Sequence, residues 1–393
     1  MRIADIRWYP CHAGWRNWVF IEVETDTGLI GLGEATLEGR ELTIQGHLQD
    51  LRRVLIGADA TSIAGVRQLL TRDPFWVGGY VAGTGLAAVE IALWDIMGKQ
   101  LGQPVWRLLG GRVHGKLPVY ANGWYFGVQT VDEWVQRATE VVELGYRALK
   151  FDPFGRAGLA PTIDEIDLAM DIVGSLRRAL GPKVSLLIEG HGRFSVHAAL
   201  TVAQRLEEYG CFFFEEPVPP GNADAMRHVT EHSRVPIAAG ERCYSRLDAR
   251  RLLELGAVHI LQPDVLHVGG IAEAREIASM AESWFVQIAP HNPNGAVATA
   301  ATLAVDVVSP NFLIQEMLEP WDVSWRHEVV LGAPRVVDGH IDVSEAPGLG
   351  VELDHAAIAE HPFEPIDPAL FGEDSIMEVV DLRPGDSGED PDG

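Results

Sequence analysis

At 393 residues, with 47% hydrophobic side chains and a formal charge of −25, the chain can form two domains or a barrel with an added module, and it is too acidic to suit nucleic acid or anionic membranes. Its basic residues are mostly arginine, with lysine only at Lys99, Lys116, Lys150 and Lys183, so an anionic ligand has to be captured by a local cation. No apolar run approaches membrane-spanning length, Met1-Arg2-Ile3-Ala4-Asp5 has no signal-peptide core, and Cys11, Cys211 and Cys243 lack metal or disulfide spacing, which together lead us to expect a reducing cytoplasm.

Residues 1–116 read as an α+β module. Arg2–Arg7 and Val19–Glu24 pattern as paired strands, and Asp26-Thr27-Gly28 supplies the turn into Leu29-Ile30-Gly31-Leu32-Gly33-Glu34. The stretch from Gly85 to Met97 is apolar almost all round and predicts a buried helix. Two Gly- and aromatic-rich stretches, Cys11–Trp18 and Asp73–Gly85, read as flexible loops suited to covering a neighbouring site.

From Leu117 to residue 320 the pattern changes to short strands alternating with helices. Strands are expected at Leu117–Ala121, Arg147–Phe151, three runs ending at Glu189, Glu215 and Glu241, then Val258–Leu261, Val286–Ala289 and Phe312–Gln315. Eight strands in series with helices between them indicate a (β/α) barrel. Residues 321–380 turn irregular and are expected to return to the first module, and 381–393 read as a disordered acidic tail.

The three acids are spaced 26 residues apart, about one strand-helix-strand repeat, which places them on neighbouring strands at the mouth of a barrel. Converging carboxylates need a cation between them, and all-oxygen ligation points to a hard ion, Mg²⁺ first. At the same mouth the pattern sets Lys150, His191, Asp264, His291 and Glu316. Asp264 on one strand can fix the tautomer of His291 on the next, which makes His291 a proton-abstracting base. The matching chemistry is proton removal beside a carboxylate, with the charge met by an ion on Glu189, Glu215 and Glu241, the other oxygen held by Glu316, and a departing hydroxyl protonated by His191. The product would be a 2-keto-3-deoxy acid.

The residues that carry a family likeness run through nearly the whole chain. They are Gly31-Leu32-Gly33-Glu34-Ala35, Ala92-Leu93-Trp94-Asp95, Glu189-Gly190-His191-Gly192-Arg193, Phe214-Glu215-Glu216-Pro217, Ala239-Gly240-Glu241-Arg242, Gln262-Pro263-Asp264, Gly269-Gly270-Ile271 and Ala289-Pro290-His291-Asn292-Pro293. On these the chain resembles the enolase superfamily, mandelate racemase subgroup, and most of all its acid-sugar dehydratases of the galactonate type. The resemblance implies an α+β capping domain on a modified TIM barrel, (β/α)₇β. It also implies Mg²⁺ on Glu189, Glu215 and Glu241, His291 with Asp264 as base, His191 as acid, Glu316 as partner of the developing enediolate, and a homo-oligomer, octamers included. Two positions depart from the family pattern: Glu189 stands where such dehydratases usually have Asp, and Lys150-Phe151-Asp152 replaces the Lys-x-Lys of the racemases.

The expected substrate is a small sugar acid. Lys150 and Asp152 are candidates to hold it or to pair with each other, and Arg16, Trp18, Trp76 and Trp321 are candidates to meet its hydroxyls or distal end. The competing readings are an epimerase or lactone cycloisomerase of the same superfamily, and a sugar-acid-binding protein without turnover. An epimerase would exchange the α-proton without making a keto acid.

Overall fold

The computed structural model describes residues 1–366. The expected tail at 381–393 and the end of the 321–380 segment lie outside the described residues.

The chain opens with an antiparallel sheet of β1 (Ile3–Ala13), β2 (Arg16–Thr25) and β3 (Ile30–Glu34) in that order. The β1–β2 hairpin is longer than its composition suggests, since Ala13 pairs with Arg16 across a two-residue turn. Cys11–Trp18 is therefore strand and not a flexible loop, and Cys11, Ala13, Arg16, Asn17 and Trp18 are all buried. The polar members are buried because distant segments satisfy them. Asn17 exchanges two hydrogen bonds with the backbone of Glu364, at 2.8 and 3.1 Å, and Arg16 meets Asp322.

Helices α1 (Glu41–Leu55), α2 (Ile63–Thr71) and α3 (Tyr80–Leu101) pack on this sheet. By length and composition α3 could cross a membrane, yet 78% of its apolar window is buried within the protein, as expected of a core helix apolar on every side. The loop before it stays exposed, with Phe75 88% and Trp76 86% accessible.

The second part is a parallel barrel of β4 (Leu117–Ala121), β5 (Ala148–Phe151), β6 (Ser185–Glu189), β7 (Phe213–Glu215), β8 (Ile237–Ala239), β9 (Ile260–Leu261), β10 (Gln287–Ile288) and β11 (Gln315–Met317). Neighbours in sequence are neighbours in the sheet, and β11 pairs with β4. A parallel bridge between Ile288 and Phe312 closes the ring. A helix of nine residues or more follows each strand up to β10, which gives the (β/α)₇β pattern. Tyr120, Ala148, Leu187, Phe213, Ala238, Ile260, Ala289 and Ile314 form a separate apolar cluster, one residue from each stave, that plugs the interior.

The eighth strand lies three residues later than its apolar run suggests, so Glu316 sits within β11 and not beyond it. Within the run itself Phe312 bridges to β10, while Ile314 joins the plug and Leu313 packs against it.

Two helices that flank the His291 loop are capped from the first module. Ile271–Ser283 and Ala296–Asp306 both have glycine at the N-cap, Gly270 and Gly295, so neither N-cap residue has a side chain with which to cap its helix. Glu90 of α3 accepts from the amides of Ile271 and Ala272 at 2.8 and 2.9 Å, and Glu34 of β3 accepts from those of Gly295 and Ala298 at 2.7 and 2.9 Å. A Cβ on Gly270 would come within 2.2 Å of Glu90 Oε2, and one on Gly295 within 2.6 Å of Glu34 Oε2. The missing side chains make room for the carboxylates that replace them.

Candidate active site

Glu189 and Glu215 end β6 and β7 and are directly paired in register. Glu241 reaches the same place differently. Glu215 pairs with Ala238, so Glu241 comes from beyond the end of β8, after Gly240 turns the chain at a φ of 140°. The equal sequence steps therefore do not mean equal strand positions. The barrel staggers its staves, and a loop supplies the third acid. Ligand atoms of all three lie within 4.8 Å of one another.

Lys150 of β5 is buried among acids, its Nζ 2.8 Å from Glu215 Oε1, 2.9 Å from Glu316 Oε1 and 3.2 Å from Glu189 Oε2. Burial alone would lower its pKa, but Glu215 and Glu316 outweigh this and hold it well above the ordinary lysine value. Within the acid pair, burial and the charge of Glu189 push Glu215 well up. Glu189, though buried, is held low by His191 and Lys150.

Four acids thus converge on one ammonium, and a further cation among them would offset their mutual repulsion. This donor set fits a hard divalent cation held by Glu189, Glu215 and Glu241. Gln262 donates to Glu215 Oε2 at 2.8 Å and fixes its outer oxygen.

Two imidazoles flank the cluster, each braced by an aspartate. Asp264 Oδ2 is 2.8 Å from His291 Nδ1, and Asn294 and the Leu266 amide hold the same carboxylate at 2.9 and 2.8 Å. Asp264 is held low despite its burial, with His267 and His291 beside it, so it accepts and His291 Nδ1 donates. That turns Nε2 to the cluster, 3.7 Å from Glu241 Oε2. Burial opposes a charge on His291, but Glu241, Asp264 and Glu316 together raise it well above the usual histidine value.

On the opposite side Asp152 Oδ2 lies 2.7 Å from His191 Nδ1, and Arg193 bonds the same oxygen. The backbone of His191 is left-handed, with φ 46°, a conformation that costs a non-glycine residue about 1–3 kcal/mol. Its amide is fastened to Glu189 Oε1 at 2.7 Å. Burial lowers the tendency of His191 to charge, while Glu189 and Asp152 more than reverse that.

Glu316 receives Asn292 N on Oε2 and Asn122 Nδ2 on Oε1, both at 2.7 Å. The expected residues Glu189, Glu215, Glu241, Lys150, His191, Asp264, His291 and Glu316 are thus brought together. Asp152 joins them as the brace of His191. The residues that composition did not single out are Asn122, Gln262, Asn292 and Asn294. Asn122, Gln262 and Asn294 reach their acids through uncharged side chains and Asn292 reaches Glu316 through its backbone amide, each acid remote in sequence, so spacing gave no signal.

Arg16 and Trp18 are corrected as substrate contacts. Arg16 is fully buried and forms a two-point pair with Asp322, at 3.2 and 2.9 Å, while the buried ring of Trp18 has the guanidinium groups of Arg16 and Arg326 at 5.4 and 5.7 Å. Trp321 is partly buried, with its ring 5.5 Å from that of Tyr146. From Asp322 a chain of bonds runs back to the site. Arg326 bonds Asp322 and Thr299, both at 2.8 Å, and Asn292 bonds Thr299 at 2.9 Å and Glu316 through its amide.

Residues 12–110 match the mandelate racemase / muconate lactonizing enzyme N-terminal domain, and residues 133–357 match the enolase C-terminal domain-like family. Among solved structures, a candidate dehydratase from Mesorhizobium loti is 31% identical, with 93% of this chain and 99% of that one covered at a TM-score of 0.87. A mandelate racemase/muconate lactonizing enzyme-like protein from Roseovarius sp. TM1035 is 32% identical over 93% and 96%, TM-score 0.87. A member of the enolase superfamily from Salmonella Typhimurium is 28% identical over 92% and 98%, TM-score 0.88. By sequence, fold and the acids it gathers at the barrel mouth, the chain belongs to the enolase superfamily, in its mandelate racemase/muconate lactonizing enzyme subgroup.

Proposed function

We propose that the protein is a Mg²⁺-dependent hydro-lyase acting on an acid sugar, with an aldonate of the galactonate type as its substrate and a 2-keto-3-deoxy sugar acid as its product. The observation that carries this reading is the pair of opposed dyads, Asp152–His191 and Asp264–His291, on the two sides of one carboxylate cluster. Elimination of water needs one group to take a proton and another to give one, and each dyad orients a single imidazole nitrogen for that task. The dehydratase naming of relatives at about the 30% identity level supports the same reaction class.

Glu189, Glu215 and Glu241 would hold a divalent cation, whose positive charge would let a substrate carboxylate accept more electron density. Neutral once the charge of Glu241 is engaged as a metal ligand, His291 would take on its Nε2 the proton from the carbon next to that carboxylate. Glu316, pinned by Asn292, Asn122 and Lys150, meets the acid group from the other side, where a proton between the two carboxyl groups is needed for a hydrogen bond. His191, kept in place by Asp152, gives its proton to the hydroxyl on the adjacent carbon, and that C–O bond breaks to release water. The resulting enol takes up a proton at the same carbon and becomes the 2-keto acid. Lys150 keeps the acids together and offers no free ammonium to substrate, since three carboxylates already take it.

The test is a screen of aldonic acids, galactonate, gluconate, arabinonate and xylonate included, with Mg²⁺-loaded protein and detection of 2-keto-3-deoxy products. A keto acid from one of them is the expected result. Solvent exchange at the α-carbon with no keto acid would convert the reading to an epimerase. Neither product nor exchange, from folded and metal-loaded protein, would remove it.

A further inference from the structure

Helix Ala223–His232 lies on the outside of the barrel between β7 and β8, away in sequence from every residue used above. Its last turn carries His228, Glu231 and His232, all exposed. Residues at i, i+3 and i+4 share one helix face, and here the geometry is close. One ligand atom from each of the three lies within 4.8 Å of the others, and the two imidazole rings stand 4.4 Å apart between centroids.

A second observation concerns the tautomer. His232 Nδ1 is 2.8 Å from the carbonyl oxygen of His228. A carbonyl can only accept, so Nδ1 carries the hydrogen and Nε2 carries the lone pair. This is the arrangement by which metal-binding histidines are oriented, with the second ring nitrogen donating to a backbone carbonyl. The two imidazole planes are tilted 36° to one another, beside the Glu231 carboxylate. The competing use of Glu231 is its pair with Arg227, at 3.2 Å on the surface, which is worth little and is easily exchanged.

We propose that His228, Glu231 and His232 form a second metal site, on the surface, that takes a borderline transition ion of the Zn²⁺ class and not Mg²⁺. Two imidazoles and one carboxylate are a zinc-type donor set, whereas the central cluster has oxygen donors alone. Three protein ligands leave a fourth position open to solvent or to a donor from another molecule.

The experiment is a calorimetric titration of the full chain with Zn²⁺ after it has been stripped with chelator and saturated with Mg²⁺. The wild type is expected to bind one Zn²⁺ that the H228A/H232A double variant does not bind, and each single variant should weaken it at least about tenfold. In the same pair of proteins, Cu²⁺ should show nitrogen couplings from two imidazoles in its electron paramagnetic resonance spectrum, lost in the double variant. Thermal midpoints without metal, and turnover with Mg²⁺, serve as controls that the variant is folded, since these residues are remote from the central acids. A Zn²⁺ isotherm unchanged by H228A/H232A would place the ion at the central cluster and overturn the proposal, and so would no Zn²⁺ binding by wild type.

Discussion

Asp152 accepts the Nδ1 proton of His191 at 2.7 Å, and the same carboxylate oxygen is also bonded by Arg193. The position that holds a second lysine in the racemases of the subgroup therefore holds the orienting group of an imidazole. D152N should leave the ring without its charged partner. Elimination is expected to fall about a hundredfold or more while exchange of the α-proton with solvent continues, measured by proton NMR in D₂O beside keto-acid formation. An equal fall in both would mean that Asp152 acts on the whole site and not on His191.

The two imidazoles should separate when each is removed. H291N is expected to abolish exchange and elimination together. H191N should keep exchange and stop elimination, because proton removal precedes the loss of hydroxyl. Identical profiles for the two variants would refute the division of labour between them.

Lys150 neutralises part of a buried cluster in which Glu189, Glu215 and Glu316 all lie within 3.2 Å of its Nζ. Removal of one partner from a buried charge network costs on the order of 3–5 kcal/mol. K150M should therefore melt well below wild type in the presence of a chelator, with part of the loss restored by Mg²⁺. The same deficit with and without Mg²⁺ would show that Lys150 and the cation do not share the work of holding these carboxylates.

Glu90 gives a pH signature outside the site. Burial pushes its carboxyl up to about 7 in spite of the amides, Trp94 and Arg67 around it. A carboxyl whose folded pKa exceeds its unfolded one binds more protons folded than unfolded between the two values. Its ionisation therefore weakens the fold as pH rises from about 4.5 to about 7, by on the order of 3 kcal/mol at most, and by a constant amount above that. E90Q should flatten the urea midpoint between pH 5 and 7.5, with an offset of about 1 kcal/mol for the helix amides it serves less well. Parallel pH profiles for wild type and E90Q would contradict this.

G295A tests the other junction. The added methyl meets Glu34, and the expected loss is about 2 kcal/mol, close to that of a missing helix cap. Equal thermal midpoints for G295A and wild type would show that Glu34 can move aside at no cost.

The barrel is legible because its staves are short apolar runs in series, with Glu189 and Glu215 at the ends of their strands and Asp264 and His291 three residues beyond theirs. Glu241 was found by its spacing, yet its placement beyond β8 depends on the stagger of the barrel, which spacing does not encode. Cys11–Trp18 misled because the partners of Arg16 and Asn17, Asp322 and Glu364, are some three hundred residues away. Local composition could only report that the stretch was polar. Asp152 looked like a substrate ligand for a related reason: the arginine and histidine that engage it come from the loop after the next stave.

The glycines that begin the Ile271–Ser283 and Ala296–Asp306 helices also limit how such proteins can be recombined. A barrel fitted with a foreign front half would expose two bare helix starts on either side of His291 unless the donor brought acids to the places of Glu34 and Glu90. Exchange of specificity loops between relatives should thus succeed within that frame, and whole-module chimeras should fail wherever these two acids are missing.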